Sequence, residues 1–190
     1  MFKRLSISAI LLAAMAAPAF AHINPLEHGS LLTGLAHPFS GADHILAMVA
    51  VGLWAAQIGG RARWIVPASF VSMMAVGFLM AMNGITLPFV EPALLASIVG
   101  LGLLVALAAR VPTVVSAAVV GLFAVFHGYA HGGEMGAATP ISFATGFMMA
   151  TAVLHGIGLG LGLTIGSRQA ALTRVLGVLT VFGGAALIFG

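Results

Sequence analysis

The chain has 190 residues, of which 61% are hydrophobic and 6% charged, and its mean hydropathy is +1.17. A water-soluble domain carries about 25% charged residues to cover its surface, so this composition excludes a water-exposed globule and makes lipid the solvent. The pI near 10.7 reflects scattered arginines without the Lys/Arg cluster that nucleic-acid binding needs, and the absence of cysteine excludes disulfides and thiolate metal sites.

Residues 1–21 read as a secretory signal. Lys3 and Arg4 open it, ISAILLAAMAA supplies a short apolar core, and Ala19-Phe20-Ala21 is an A-x-A cleavage site. An uncleaved first helix is the alternative. Cleavage is favoured because the apolar run is shorter than the roughly 20 residues needed to span, and Pro18 follows it. The mature chain, 22–190, then begins at His22 outside the cytoplasm and forms one membrane domain.

Six apolar segments follow, at about 31–58, 64–82, 92–109, 112–130, 141–165 and 171–189. Each is near or above spanning length. Helices satisfy their own backbone groups in lipid, so the expectation is an all-α integral membrane protein with six transmembrane helices. The first segment is too long for one straight span and is interrupted by Pro38 and Gly41. Beyond the signal there are five arginines and no lysine: Arg61 and Arg63 between the first two segments, Arg110 between the third and fourth, and Arg168 and Arg174 between the last two. Positive residues mark cytoplasmic loops, which puts the mature N-terminus in the periplasm, as the signal peptide requires, and with six spans the C-terminus there too. The expected location is a bacterial inner membrane.

On this map Glu27, Glu91 and Glu134 lie at outer ends of segments, and Asp43 lies in the outer part of the first. Six of the seven histidines, His22, His28, His37, His44, His127 and His131, fall on the same outer side, and only His155 is deep. Ionisable groups within spans are expensive and usually functional. Two stretches concentrate them, HPFSGADH at 37–44 and FHGYAHGGE at 126–134. On a helix His127 and His131 share a face one turn apart, and Glu134 continues it if the helix survives Gly132-Gly133. Imidazoles with a nearby carboxylate suit a divalent metal. Asp43 and His44 project about 100° apart on an ideal helix. Either Asp43 orients an imidazole from outside the ligand shell, or the Pro–Gly break bends the backbone until both converge.

Other polar residues have plainer readings. Glu27 and His28 read as groups hydrogen-bonded at the membrane surface. The same reading fits His22, although as first mature residue it could add its amine and ring to a site. Glu91, just before Pro92, suits a helix N-terminus as well as it suits an ion path. His155 sits among glycines that allow close helix approach and is either a deeper relay or an interhelical hydrogen-bonding partner. The ten methionines form no closely spaced copper-type motif.

HPFSGADHILAM, then FHGYAHGGE, in a six-span chain behind a signal peptide resembles the HupE/UreJ family of nickel permeases, and the likeness extends to EPALLAS and LHGIG. The resemblance implies transport of Ni²⁺ into the cytoplasm for hydrogenase or urease metallocentre assembly. It implies no permanent cofactor, contact with maturation proteins only indirectly, and functional residues at His37, Asp43, His44, Glu91, His131 and Glu134, with Phe70 as a possible wall of the path. His127 joins this set from its spacing to His131. The first motif also resembles the H-x4-D-H signature of another nickel/cobalt transporter family, but the spacing here is H-x5-D-H.

Cobalt transport by the same mechanism is one alternative. An intramembrane zinc-dependent hydrolase is another, although the chain has neither H-E-x-x-H nor a recognisable serine-nucleophile motif. A metal sensor or an assembly subunit without transport is a third. No G-x4-G-K-[ST] motif is present, so transport would run down the membrane potential or be coupled to another ion.

Overall fold

The computed structural model describes residues 31–132, 139–166 and 169–189. These form seven α-helices: α1 (Leu31–Ser40), α2 (Ala42–Ile58), α3 (Ala62–Met82), α4 (Val90–Ala106), α5 (Thr113–Gly132), α6 (Pro140–Gly166) and α7 (Ala170–Phe189). No strand occurs among the described residues. The signal peptide expected at 1–21, His22, Glu134 and Arg168 lie outside them.

Helices α3, α5, α6 and α7 are each long and apolar enough to cross a membrane, and α1 with α2 makes a fifth candidate bent by 86°. At 17 residues, α4 is shorter and stands at the lower edge of spanning length. The outer surface is apolar as well as the core. Trp64, Leu122, Ile141 and Phe182 are each more than 60% exposed, an arrangement that lipid tolerates and water does not.

The break in the first segment falls at Gly41. Pro38 stays inside α1, in its last turn, where it withholds the N–H that would bond the Gly34 carbonyl and the helix ends two residues later. Gly41 is extended (φ −111°, ψ 128°) and starts α2 on a new axis.

Pairs of helices then pack closely: α3 on α5, α2 on α6, α4 on α7, and α1 on the start of α6. Glycine makes the closest approaches possible. A Cβ at Gly128 of α5 would lie on the Met74 carbonyl oxygen, and one at Gly52 of α2 would lie on the His155 carbonyl oxygen. Small residues at such crossings are the membrane counterpart of core packing. Here they fix the register of the histidine-bearing helices.

One end of the bundle is tied by polar groups. Trp54 Nε1 donates to the Ala109 carbonyl at 2.8 Å, Gln57 Nε2 to the Val105 carbonyl at 3.1 Å, and Arg174 Nε to the Ala106 carbonyl at 2.8 Å. Ala108 has φ +50° and closes α4 in a Schellman arrangement, with Ala108 N bonded to the Val105 carbonyl and Ala109 N to the Leu104 carbonyl. Arg61, Arg63, Arg110 and Arg174, the described arginines, all gather at this end and are exposed. The start of α2, with His44, is roughly 20 Å away along the helix axis. At that opposite end Tyr129 Oη accepts from Leu87 N at 3.2 Å, pinning the arginine-free 83–89 connection.

Candidate metal centre

Three helices deliver the site. His37 comes from the last turn of α1, Asp43 and His44 from the first turn of α2, and His131 from the final turn of α5. The bend at Gly41 folds α1 back so that His37 and His44, seven positions apart, face the same point; their ring centroids are 5.8 Å apart. His131 lies between them. Its Nδ1 is 3.1 Å from His37 Nε2 and its Nε2 is 2.6 Å from His44 Nε2. Ligand atoms of all three rings fall within 4.8 Å of one another.

Those separations suit a shared ion. Imidazole nitrogens held about 2.0–2.1 Å from a first-row metal stand about 3–4 Å apart. His131 can give one ion only one of its two nitrogens, and with one nitrogen taken from each ring the three lie within 4.8 Å of one another. His44 and His131 are buried and His37 is half-buried. Phe147 of α6 walls the rings, with centroids 5.8, 6.0 and 4.8 Å from His37, His44 and His131. Phe143 stacks on it at 6.1 Å and also meets the His37 ring, 5.6 Å between centroids.

The carboxylate of Asp43 acts on His44 from the far side of the ring. Its Oδ1 is 2.9 Å from His44 Nδ1, off the line of the N–H bond but at ion-pair length. A proton held on Nδ1 by that charge leaves Nε2, the atom facing His131, with a lone pair for a metal. Of the two roles open for Asp43 in the sequence, this placement is that of a carboxylate beside the imidazole acting by charge, since His44 Nδ1 has no hydrogen-bond partner. Gly41 makes room for it, since a Cβ there would meet Asp43 Oδ1 and lie 3.0 Å from His44 Nδ1.

The remaining expected residues are placed as follows. His127 is fully buried one turn below His131, its ring 5.8 Å from that of His44, and its Nε2 is 2.9 Å from Ser97 Oγ. His155 is buried in the bundle, with Nδ1 donating to the Met48 carbonyl at 2.8 Å. Phe70 is buried against both, 5.5 Å from His127 and 4.9 Å from His155 between centroids. Glu91 is exposed in the first turn of α4, outside the three-histidine group.

Sequence reasoning missed two contributors. Phe147 carries a signal in its spacing, because Phe143, Phe147, Thr151 and His155 recur every four residues and form one buried stripe on α6. Ser97 was visible only as a hydroxyl in an otherwise apolar run.

A helical bundle with an apolar exterior, arginines at one end and, at the other, a cluster of three histidines that could hold a metal ion has the build of a multi-pass membrane protein. The family model described as "HupE / UreJ protein" matches residues 10–187. "Protein HupE" of Rhizobium leguminosarum bv. viciae is 47% identical over 182 residues, covering 94% of this chain and 95% of that one. The chain belongs to the HupE/UreJ family. No solved structure matches it.

Proposed function

We propose that the chain is a permease that moves Ni²⁺ from the periplasm to the cytoplasm across six membrane crossings, supplying hydrogenase or urease metallocentre assembly. The observation that carries this reading is the convergence of His37, His44 and His131 from three helices at the end opposite the arginines. A nitrogen-only mouth without thiolates favours Ni²⁺ over Mn²⁺ and Mg²⁺ in the usual affinity order. Its ligands are neutral imidazoles, weak enough to pass the ion on, as conduction demands. Arginine at the other end supports the cytoplasmic assignment of that end. Asp43 acts on His44 by charge, and Glu91 and Glu134 serve as outer carboxylates that draw the hydrated cation toward the mouth.

Vesicles containing only the purified protein and a metal-sensitive dye test the proposal. Internal Ni²⁺ rises in loaded vesicles, and His131→Ala abolishes the rise without affecting insertion. A rise no greater than in empty vesicles contradicts the proposal. Competition by Co²⁺ in the same assay decides between nickel and cobalt as the preferred cargo.

A further inference from the structure

Beyond the mouth, two buried imidazoles each have one nitrogen occupied and one left bare. Ser97 Oγ gives its single proton to the Leu94 carbonyl at 2.6 Å, so its 2.9 Å contact with His127 Nε2 requires the histidine to donate. The proton of His127 therefore sits on Nε2, and Nδ1 carries a lone pair. The Met48 carbonyl can only accept, so the proton of His155 sits on Nδ1 and the lone pair on Nε2. His127 Nδ1 and His155 Nε2 are both buried without a hydrogen-bond partner. The two residues are 0% and 2% exposed.

Leaving a buried ring nitrogen unpaired is destabilising, and folded proteins rarely tolerate it. A histidine present only to join helices needs one ring nitrogen for its hydrogen bond, as here, and gains nothing from burying the other bare. Two such atoms, on two helices that both pack against α3 and each with its tautomer fixed by a different protein acceptor, call for a ligand that accepts lone pairs. The rings also form a sequence in space. From the mouth ring of His44 it is 5.8 Å to His127, then 5.5 Å to Phe70 and 4.9 Å to His155. Met48, which holds His155, is one helical turn below His44, about 6 Å further in.

We propose that His127 Nδ1 and His155 Nε2 are an inner relay for the divalent cation, one nitrogen on each side of a step past the Phe70 ring, distinct from the three-histidine mouth. The inference rests on the transport reading above. A relay with so few donors holds the ion loosely, which favours onward release. The fixed tautomers keep both lone pairs ready without any proton having to leave the dry interior.

The test uses the full-length protein and its His127→Leu and His155→Leu variants, each in three measurements. These are Ni²⁺ uptake into vesicles, calorimetric titration of Ni²⁺ into solubilised protein, and melting temperature. Uptake falls by at least about tenfold in each variant, the scale of losing even an outer partner of a metal site, while the titrated mouth affinity stays within about twofold. Melting temperature changes little, because the hydrogen bond lost to Ser97 or to the Met48 carbonyl is offset by removal of an unpaired polar atom from the interior. Uptake within about twofold of the parent in both variants overturns the relay. So does a loss of uptake matched by lost mouth affinity or a lower melting temperature, which marks a packing role. Failure of the transport reading is separately visible as no uptake by the unsubstituted protein, and the relay falls with it.

Discussion

Removing the charge of Asp43 isolates the electrostatic part of the mouth. In Asp43→Asn the side chain keeps its shape but no longer holds a proton on His44 Nδ1, 2.9 Å away. The Nε2 atom facing His131 then spends part of its time protonated and unable to bind metal. Loss of an outer carboxylate of this kind weakens metal binding by about 10–100-fold. Asp43 is 32% exposed, so solvent screens the pair and the lower end applies. The expected weakening is about tenfold, equivalent to about 1.4 kcal/mol. Calorimetric titration of Ni²⁺ into the solubilised protein reads it directly. Gly41→Ala reaches the same atoms differently, since the new Cβ takes the place of the Asp43 carboxylate. That carboxylate ends a flexible side chain and swings aside, so folding stability changes little while affinity falls as in the asparagine variant. Affinities within about twofold of the parent in Asp43→Asn, Asp43→Ala and Gly41→Ala together would refute the role of that charge.

Gly128→Ala sets a methyl group against the Met74 backbone, which cannot yield as a side chain can. Overpacking of this kind costs about 1–3 kcal/mol and is expected as a lower melting temperature, with weaker Ni²⁺ binding because His131, three residues on, is displaced with α5. Ala108→Gly relieves a left-handed residue (φ +50°) at the end of α4. The strain of roughly 1 kcal/mol is partly offset by glycine's freer unfolded state, so a small rise in melting temperature is expected, and a fall would contradict the strain. Uptake declines as external pH drops from 7.5 to 5.5, because imidazole with a reference pKa of about 6.5 must lose its proton to ligate. A flat profile over that interval contradicts histidine capture.

Much of this was legible because lipid imposes simple rules. Apolar run lengths gave the helices from 64–82 onward to within a few residues, and the arginines marked one end of the bundle before any fold was known. The pairing of HPFSGADH with FHGYAHGGE was visible as same-sided chemistry. What the linear pattern could not carry was rotation. Whether His44 or Asp43 faces His131 depends on the 86° turn at Gly41 and on the Gly128–Met74 contact that sets the height of α5 against α3. Composition marks Pro38 and Gly41 equally as breakers, and only the extended backbone at Gly41 separates them. Glu91 illustrates the opposite case. Its position before Pro92 placed it correctly at the start of a helix, yet the fold leaves it exposed and apart from the three rings.

X-ray absorption at the nickel edge, recorded on purified protein loaded with one equivalent of Ni²⁺, addresses the mouth most directly. Three imidazole nitrogens from His37, His44 and His131 should surround the metal at about 2.1 Å, with their characteristic ring scattering reduced in His131→Ala. A spectrum of oxygen ligands alone, unchanged by that substitution, would contradict a histidine mouth.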